Sequence, residues 1–338
     1  VSEPVEHLIV GPERHGVVRF GIHLHAALRA EGFATVQRRV HGPPVVPRGT
    51  FPPGRGVHLQ FTDRLFGADA QQAVSTVHDI AVDVRRGGGR VTATLHDLPQ
   101  PADRANHAIR ASAYLRLASL LDGVVVSSEH ERRLLHDIGV RDPATVIPLP
   151  IVTPVPWPSA RASPTSVAVF GFVYPDKGHA DVLEAMRGLP PDIRMLAIGE
   201  PSAGHDDLLD GLAEEARVQG RSFVLTGHVP DADLAPLLRE VAVPVVNHRH
   251  VSASGSLNSW ISAGRRPLVP ATRYVREIAA RNPGALWLYD DDRPGLSAAI
   301  RAALGDPAAT WLPPGAVCSP TPREAAEGYR QLLTSVHR

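Results

Sequence analysis

The chain has 338 residues, with 43% apolar and 21% charged side chains. That length exceeds one ordinary core and suits two domains of a soluble globular protein. Lys+Arg and Asp+Glu both number 35, so the net charge is zero, which argues against a general nucleic-acid partner; no run approaches the ~20 apolar residues of a membrane span.

The single Cys318 excludes an internal disulfide framework and points to a reducing, cytoplasmic compartment. The opening VSEPVEHLIVG lacks the basic-then-apolar layout of a signal peptide. Arginine is abundant, yet Lys177 is the sole lysine.

In chain order, VEHLIV (5–10) reads as a strand, followed by the loop GPERHG (11–16) and a helix over Val17–Ala30. ATVQRRV (34–40) is a second strand. HGPPVVPRGTFPPGRG (41–56) is a surface loop. A strand follows at 57–61, a helix at 69–86 and a strand at 90–95 that ends in His96-Asp97. A long helix over 105–121, a strand at 124–128, a helix closed by Gly139 and a strand near 145–150 complete this half. Residues 151–165 are dense in Pro and Ser and read as a linker. Beyond them, strands are expected at 166–170, 193–198, 222–226, 243–246, 267–269 and 285–288, with helices between them and a last helix from Pro322.

Strand–helix alternation on this scale predicts an α/β chain: two facing Rossmann-like domains, each with a parallel sheet, around an interdomain cleft. The boundaries read as 1–150, a linker at 151–165, 166–320, and a final helix at 321–338 returning to the first domain. Ligands of open parallel sheets sit outside the carboxyl ends of strands, so the loops there carry the chemistry.

Four loops stand out. GPERHGVVRF brings Gly16 to a helix start, where backbone N–H groups can face a phosphate or sugar; its spacing is not GxGxxG, and an ordinary turn serves equally. TLHDLPQP places His96 at a strand end, suited to a sugar hydroxyl or to acid/base work, or to plain capping. GFVYPDKGH holds Lys177, a point charge suited to phosphate, or a solvated loop lysine; as a diphosphate ligand, its replacement by alanine is expected to weaken binding and leave folding nearly unchanged. HVSASGSLNSWISAG offers the amides of Gly255, Ser256 and Leu257 at a positive helix end, or only a serine cap. The set suits a diphosphate between the domains, with its attached group pointing at the histidine.

In the order of these pieces the chain resembles the retaining nucleotide-sugar glycosyltransferases of GT-B fold, family 4. TLHDLP is similar to the family's strand-end histidine, which implies that His96 and Asp97, with Gly16, lie on the donor-sugar side. FGFVYPDKGHADVLEAM resembles the lysine-glycine opening of the donor domain, which implies that Lys177 meets the donor diphosphate together with Gly255, Ser256 and Leu257. FVLTGHVPDADLAPLLREVAVPVV resembles the stretch beside the nucleotide base, implying base-side roles for Gly227, His228 and Val229. Two departures stand out. Phe172 occupies the usual place of an arginine. The family's Glu-x7-Glu pair falls on Ser252 and Trp260, so both carboxylates of the sugar and ribose side are gone.

The resemblance implies transfer of a sugar from a nucleoside diphosphate sugar to a small-molecule, lipid-linked or glycan acceptor, with His96 and Lys177 at the chemistry. No cofactor and no metal are implied. The alternative is a non-catalytic GT-B-like protein that binds a nucleotide or glycan or partners an active subunit. A sugar-nucleotide epimerase would need cleft carboxylates that cannot be placed, and a zinc site on His248 and His250 lacks a third ligand.

Overall fold

The computed structural model describes residues 4–142, 144–152, 165–202, 204–248 and 253–337. The chain forms two compact units: Val1–Pro150 with Pro320–Arg338, and Ile151–Ser319.

The first unit runs β1 (Val5–Val10), α1 (Gly16–Ala30), β2 (Thr35–Val40), β3 (Val57–Phe61), α2 (Asp63–Phe66), α3 (Ala70–Arg86), β4 (Val91–Leu95), α4 (His107–Ser119), β5 (Gly123–Val126), α5 (Glu129–Asp137) and β6 (Thr145–Val146). Its strands pair in parallel in the order β2-β1-β3-β4-β5-β6. The second unit runs β7 (Ser166–Phe170), α6 (His179–Ala185), β8 (Arg194–Ile198), α7 (Asp206–Val218), β9 (Phe223–Leu225), α8 (Asp231–Glu240), β10 (Val243–Val245), α9 (Gly255–Ser262), β11 (Leu268–Pro270), α10 (Arg273–Arg281), β12 (Trp287–Tyr289) and α11 (Arg293–Gly305). Its sheet is also parallel, in the order β12-β11-β10-β7-β8-β9. The chain then adds α12 (Pro322–Val336), which packs on α1 within the first unit.

Local chemistry explains where helices begin. Asp69 accepts from Gln72 N at 2.8 Å, Ser128 from Glu131 N at 3.0 Å, and Thr321 with Glu324 forms a reciprocal box at the start of α12. Each satisfies helix donors that would otherwise lack partners. Two short elements escape the sequence reading: α2, a single turn, and the 3-10 turn Pro101–Asn106 that precedes α4. Most of the Pro/Ser-rich stretch lies outside the described residues. Its first residue, Ile151, is no linker residue: it is 1% exposed and packed in the core of the second unit with Trp260 and Leu257.

The first sheet has two unlike buried faces. In register across β1, β3 and β4, Leu8 pairs with Leu59 and Leu59 with Ala93, and this face packs the apolar core beneath α2, α3 and α4. One residue along, His7 pairs with His58 and His58 with Thr92. This second face is polar yet covered, because strand residues alternate between faces. His58 shares hydrogen bonds with Thr92 Oγ1 at 2.8 Å and Thr94 Oγ1 at 3.0 Å. Thr94 Oγ1 meets Tyr329 Oη at 2.8 Å, and Thr92 Oγ1 meets His337 Nε2 at 3.1 Å. The C-terminal segment is thus pinned by polar contacts to a buried strip, alongside apolar contacts of Tyr329 and Leu333.

Candidate functional site

The second sheet reverses direction at one place. Strands β7, β8 and β9 step outward to one side, and β10 then returns to pair with β7 on the other. In open parallel sheets this switch point, at the carboxyl ends of the strands, is where ligands bind, so the loops leaving β7 and β10 are the ones to examine. GFVYPDKGH leaves β7, and the segment from Asn247 to Ser256 leaves β10 and enters α9.

Glycines make the first loop possible. Gly178 has φ +87°, and a Cβ there would lie 2.1 Å from the Asn247 carbonyl oxygen, so the chain passes directly against the β10 loop. Gly171 has φ +118°, and a Cβ there would lie 2.7 Å from Lys177 Nζ. Pro175–Lys177 forms a 3-10 turn that folds the lysine back over the strand end. Lys177 Nζ then donates to Ser256 Oγ at 3.1 Å. Lys177 is only 5% exposed, so it is not the solvated loop lysine that the sequence allowed. Gly171→Ala is expected to push the ammonium from Ser256 and to strain the backbone. Calorimetric titration with a nucleoside diphosphate should show at least tenfold weaker binding than wild type.

Burial alone lowers the Lys177 amine to about 7, since water is removed and no anion replaces it. The surrounding groups do not supply one. His179, the first residue of α6, is buried with both ring nitrogens unpartnered, and burial followed by the nearby Lys177 charge lowers it to about 3. His248 is lowered well below its usual value, by burial first and then by Lys177 and His179. Its Nδ1 lies 3.4 Å from Ser254 Oγ and its Nε2 3.4 Å from Ser256 Oγ. The result is a cation among neutral imidazoles and hydroxyls at the start of α9, where the helix dipole adds positive potential.

Of the expected amides, Leu257 N is already taken: it donates to Ser254 Oγ at 3.2 Å, and Leu257 is fully buried. Gly255 is exposed in open space and Ser256 is half-buried, so the accessible end of α9 is narrower than expected. Trp260 contradicts its ribose-side placement. Its side chain has no exposed surface and lies in the apolar core with Ile261 and Leu257, and an indole enclosed there cannot reach a ribose. Ser252 and His250 lie outside the described residues.

The base-side candidates follow β9. Gly227 has φ +69° with open space around it, His228 is exposed, and Val229 packs partly on the core. Their loop is tied back toward Lys177: Gly199 N donates to Thr226 Oγ1 at 3.0 Å, and a Cβ on Gly199 would lie 2.3 Å from the Gly171 carbonyl. The ends of β7 and β8 thus touch through Gly171 and Gly199, a close stacking that a side chain would block, and Thr226 ties the end of β9 to them.

In the first unit, His96 follows β4. It is 7% exposed, its Nε2 donates to Gln60 Oε1 at 3.0 Å, and Phe20 packs edge-on at 5.4 Å. Burial and then the neighbouring His15 lower it to about 3. At neutral pH the ring is uncharged, which suits hydrogen bonding and removes the imidazolium acid that the sequence left open. Asp97 sits at φ +54°, a strained value for a non-glycine. Arg110 holds it there, donating to the Asp97 carbonyl at 2.5 Å and lying 3.4 Å from its carboxylate, which is 55% exposed. Asp63 and Asp103 complete the grip on Arg110 at 2.9 and 2.6 Å. Gly16 begins α1, exposed, after His15 accepts from Val17 N at 3.3 Å.

His179, Asn247 and His248 were missed as site residues, although GFVYPDKGH ends on the first of them and the other two follow β10. Arg110 left no clear signal, because its grip joins Asp63 at the start of α2 to Asp97 and Asp103 in the segment between β4 and α4. Among the described residues, no group of three His, Cys, Asp or Glu side chains is arranged to hold a metal ion, and no helix is long and apolar enough to cross a membrane.

No family model and no curated protein matches the chain. Solved structures do. HepE from Anabaena, in complex with UDP and glucose, is similar with a TM-score of 0.71 at 13% identity over 99% of this chain and 97% of that one. Sucrose-phosphate synthase from Thermosynechococcus elongatus follows with 0.64, 16% identity and coverage of 99% and 95%. The pneumococcal O-GlcNAc transferase GtfA, in complex with UDP and GlcNAc, gives 0.61 at 13% identity over 85% and 57%. Two parallel six-stranded sheets with flanking helices, matched over nearly the whole length of the first two structures, give this chain the GT-B fold.

Proposed function

We propose that the chain is a glycosyltransferase that moves a sugar from a nucleoside diphosphate sugar to an acceptor held by the first unit. The observation that carries this reading is Lys177: a buried amine whose side chain, among the described residues, is bonded only to a hydroxyl, at the switch point of a doubly wound sheet beside a helix N-terminus. Such a charge is costly until an anion arrives. In this reading Lys177, Ser256 and the amide end at Gly255 hold the diphosphate. Gly227, His228 and Val229 border the base, and His96, Asp97 and Gly16 belong to the sugar side. The leaving diphosphate is then neutralised by the ammonium and the helix end, and this charge balance requires no metal and no cofactor. Retention of anomeric configuration is part of the proposal.

HepE and GtfA are each described with UDP, which makes uridine nucleotides the first donors to test. A thermal-shift screen of UDP-, GDP-, ADP- and dTDP-sugars, followed by mass-spectrometric measurement of donor consumption, tests the reading. A ligand at 100 times its dissociation constant raises stability by about 2.7 kcal/mol, and silence across all four classes would reject it. His96→Ala is expected to lower turnover at least tenfold while changing UDP affinity less than threefold, because the ring belongs to the sugar side.

One observation favours a non-catalytic reading. Neither position matching the family's glutamates bears a carboxylate, and Trp260 fills a core instead. Binding without any donor turnover, across a range of acceptor sugars and lipids, would select that reading.

A further inference from the structure

Lys177 has an ammonium's geometry without an ammonium's surroundings. Its Nζ reaches Ser256 Oγ at 3.1 Å, and the side chain is nearly sealed from solvent. From its own segment His179 faces it, buried and unpartnered. From the segment after β10 His248 faces it, joined to Ser254 and Ser256 at 3.4 Å. The nearby Asn247 takes up other polar groups of this region: its Nδ2 lies 3.5 Å from Asp181 Oδ2, and its Oδ1 accepts from Tyr289 Oη at 2.5 Å. Asp176, in the same turn as Lys177, is exposed. Among the described residues no carboxylate forms an ion pair with Lys177.

We infer that binding of a nucleoside diphosphate to this chain takes up one proton from solvent onto Lys177 Nζ, so that donor affinity falls as pH rises above neutrality. The inference deepens the donor-site reading and rests on it. In the free protein the amine loses its hydration and gains only a hydroxyl and uncharged rings, so its neutral form is favoured. A diphosphate brings at least two negative charges to the same place, and the protonated form is then favoured. The difference between the two states must appear as a bound proton. The lowering of the amine to about 7 by burial agrees with this environment. The neighbouring imidazoles do not compete for the proton, since both are held neutral at these pH values.

The chain's single lysine makes the test direct. Protein grown on lysine enriched in carbon-13 at Cε has one labelled methylene, whose shift follows the charge on Nζ. UDP is the probe, and the window is pH 7 to 9.5, above the phosphate's own titration near 6. In the free protein the signal should titrate at least two pH units below that of the urea-unfolded chain. With saturating UDP it should stay in the protonated position throughout. Calorimetry at pH 8.5 in buffers of different ionisation enthalpy should then give uptake close to one proton, and affinity should drop about tenfold per pH unit above 7. If UDP binds but the free signal titrates like the unfolded chain, or no proton is taken up, the inference is wrong and the donor-site reading stands. If UDP, GDP, ADP and dTDP all leave the signal unmoved, the donor-site reading fails and the inference falls with it.

Discussion

Lys177→Met is expected to weaken nucleoside diphosphate binding by roughly 10- to 150-fold and, at the same time, to stabilise the fold. The first effect is the loss of a charge-assisted hydrogen bond, worth roughly 1.5–3 kcal/mol. The loop GFVYPDKGH contains no arginine and no other lysine, so it has no second basic side chain of that kind in reserve. The second effect departs from the sequence expectation that losing Lys177 leaves folding nearly unchanged. The Lys177 amine is lowered from 10.5 to about 7 by burial. The unfolded chain therefore binds a proton below 10.5 that the folded chain refuses until about 7. Stability falls as pH decreases through that interval and is level below it. Each unit of difference is worth about 1.4 kcal/mol, so the full interval bounds the penalty at about 5 kcal/mol. Methionine keeps the length and volume and removes the charge. Urea unfolding at pH 7 and pH 10 should show the variant more stable than wild type by several kcal/mol at pH 7, and by much less at pH 10. Equal stabilities at pH 7 would mean that the lysine reaches water.

A second large effect is acid unfolding of the first unit. His7 and His96 are each held at about 3 by burial, and His58 is lowered well below its usual value. A histidine kept neutral in the fold costs nothing above pH 6.5, where neither state binds its proton. Below 6.5 the unfolded chain takes up the proton and the folded chain does not, so stability falls steadily toward pH 3. At pH 5 the loss is about 2 kcal/mol each for His7 and His96, about 4 together, with His58 acting in the same direction; this approaches the whole stability of a marginal domain. The expected result is a sharp fall in the urea midpoint between pH 7.5 and pH 5, with hydrogen exchange accelerating first at β1, β3 and β4. His7 has both ring nitrogens buried without partners, so His7→Leu should raise stability by about 1–3 kcal/mol at pH 7 and flatten the acid slope. A midpoint unchanged between the two pH values would contradict this account of the strip.

Most strands and long helices were legible because their signals are local. Strands buried on both faces read as apolar runs, and helices announced themselves by spacing and by caps such as Asp69, Ser128 and Thr321. The GFVYPDKGH loop was legible as a turn from Gly171, Pro175 and Gly178. What was not legible depends on contacts far apart in the chain. Lys177 is buried by a helix start 79 residues away. Trp260 lies one helical turn beyond Ser256 on the α9 face that packs inward, and an anchored count from Gly255 carries no information about that rotation. The histidine strip looked like scattered polar residues within apolar strands. Only the register of β1, β3 and β4 places His7, His58 and Thr92 side by side, and their cover comes from α1 and from α12, whose Tyr329 lies 235 residues after Thr94.

The most direct test of the proposed donor site is a crystal structure of the wild-type chain with UDP. The predicted result is a diphosphate within hydrogen-bond distance of Lys177 Nζ and the Ser256 end of α9, with the uracil toward Gly227. A nucleotide seated elsewhere, with the Lys177 ammonium still bonded only to Ser256, would contradict it.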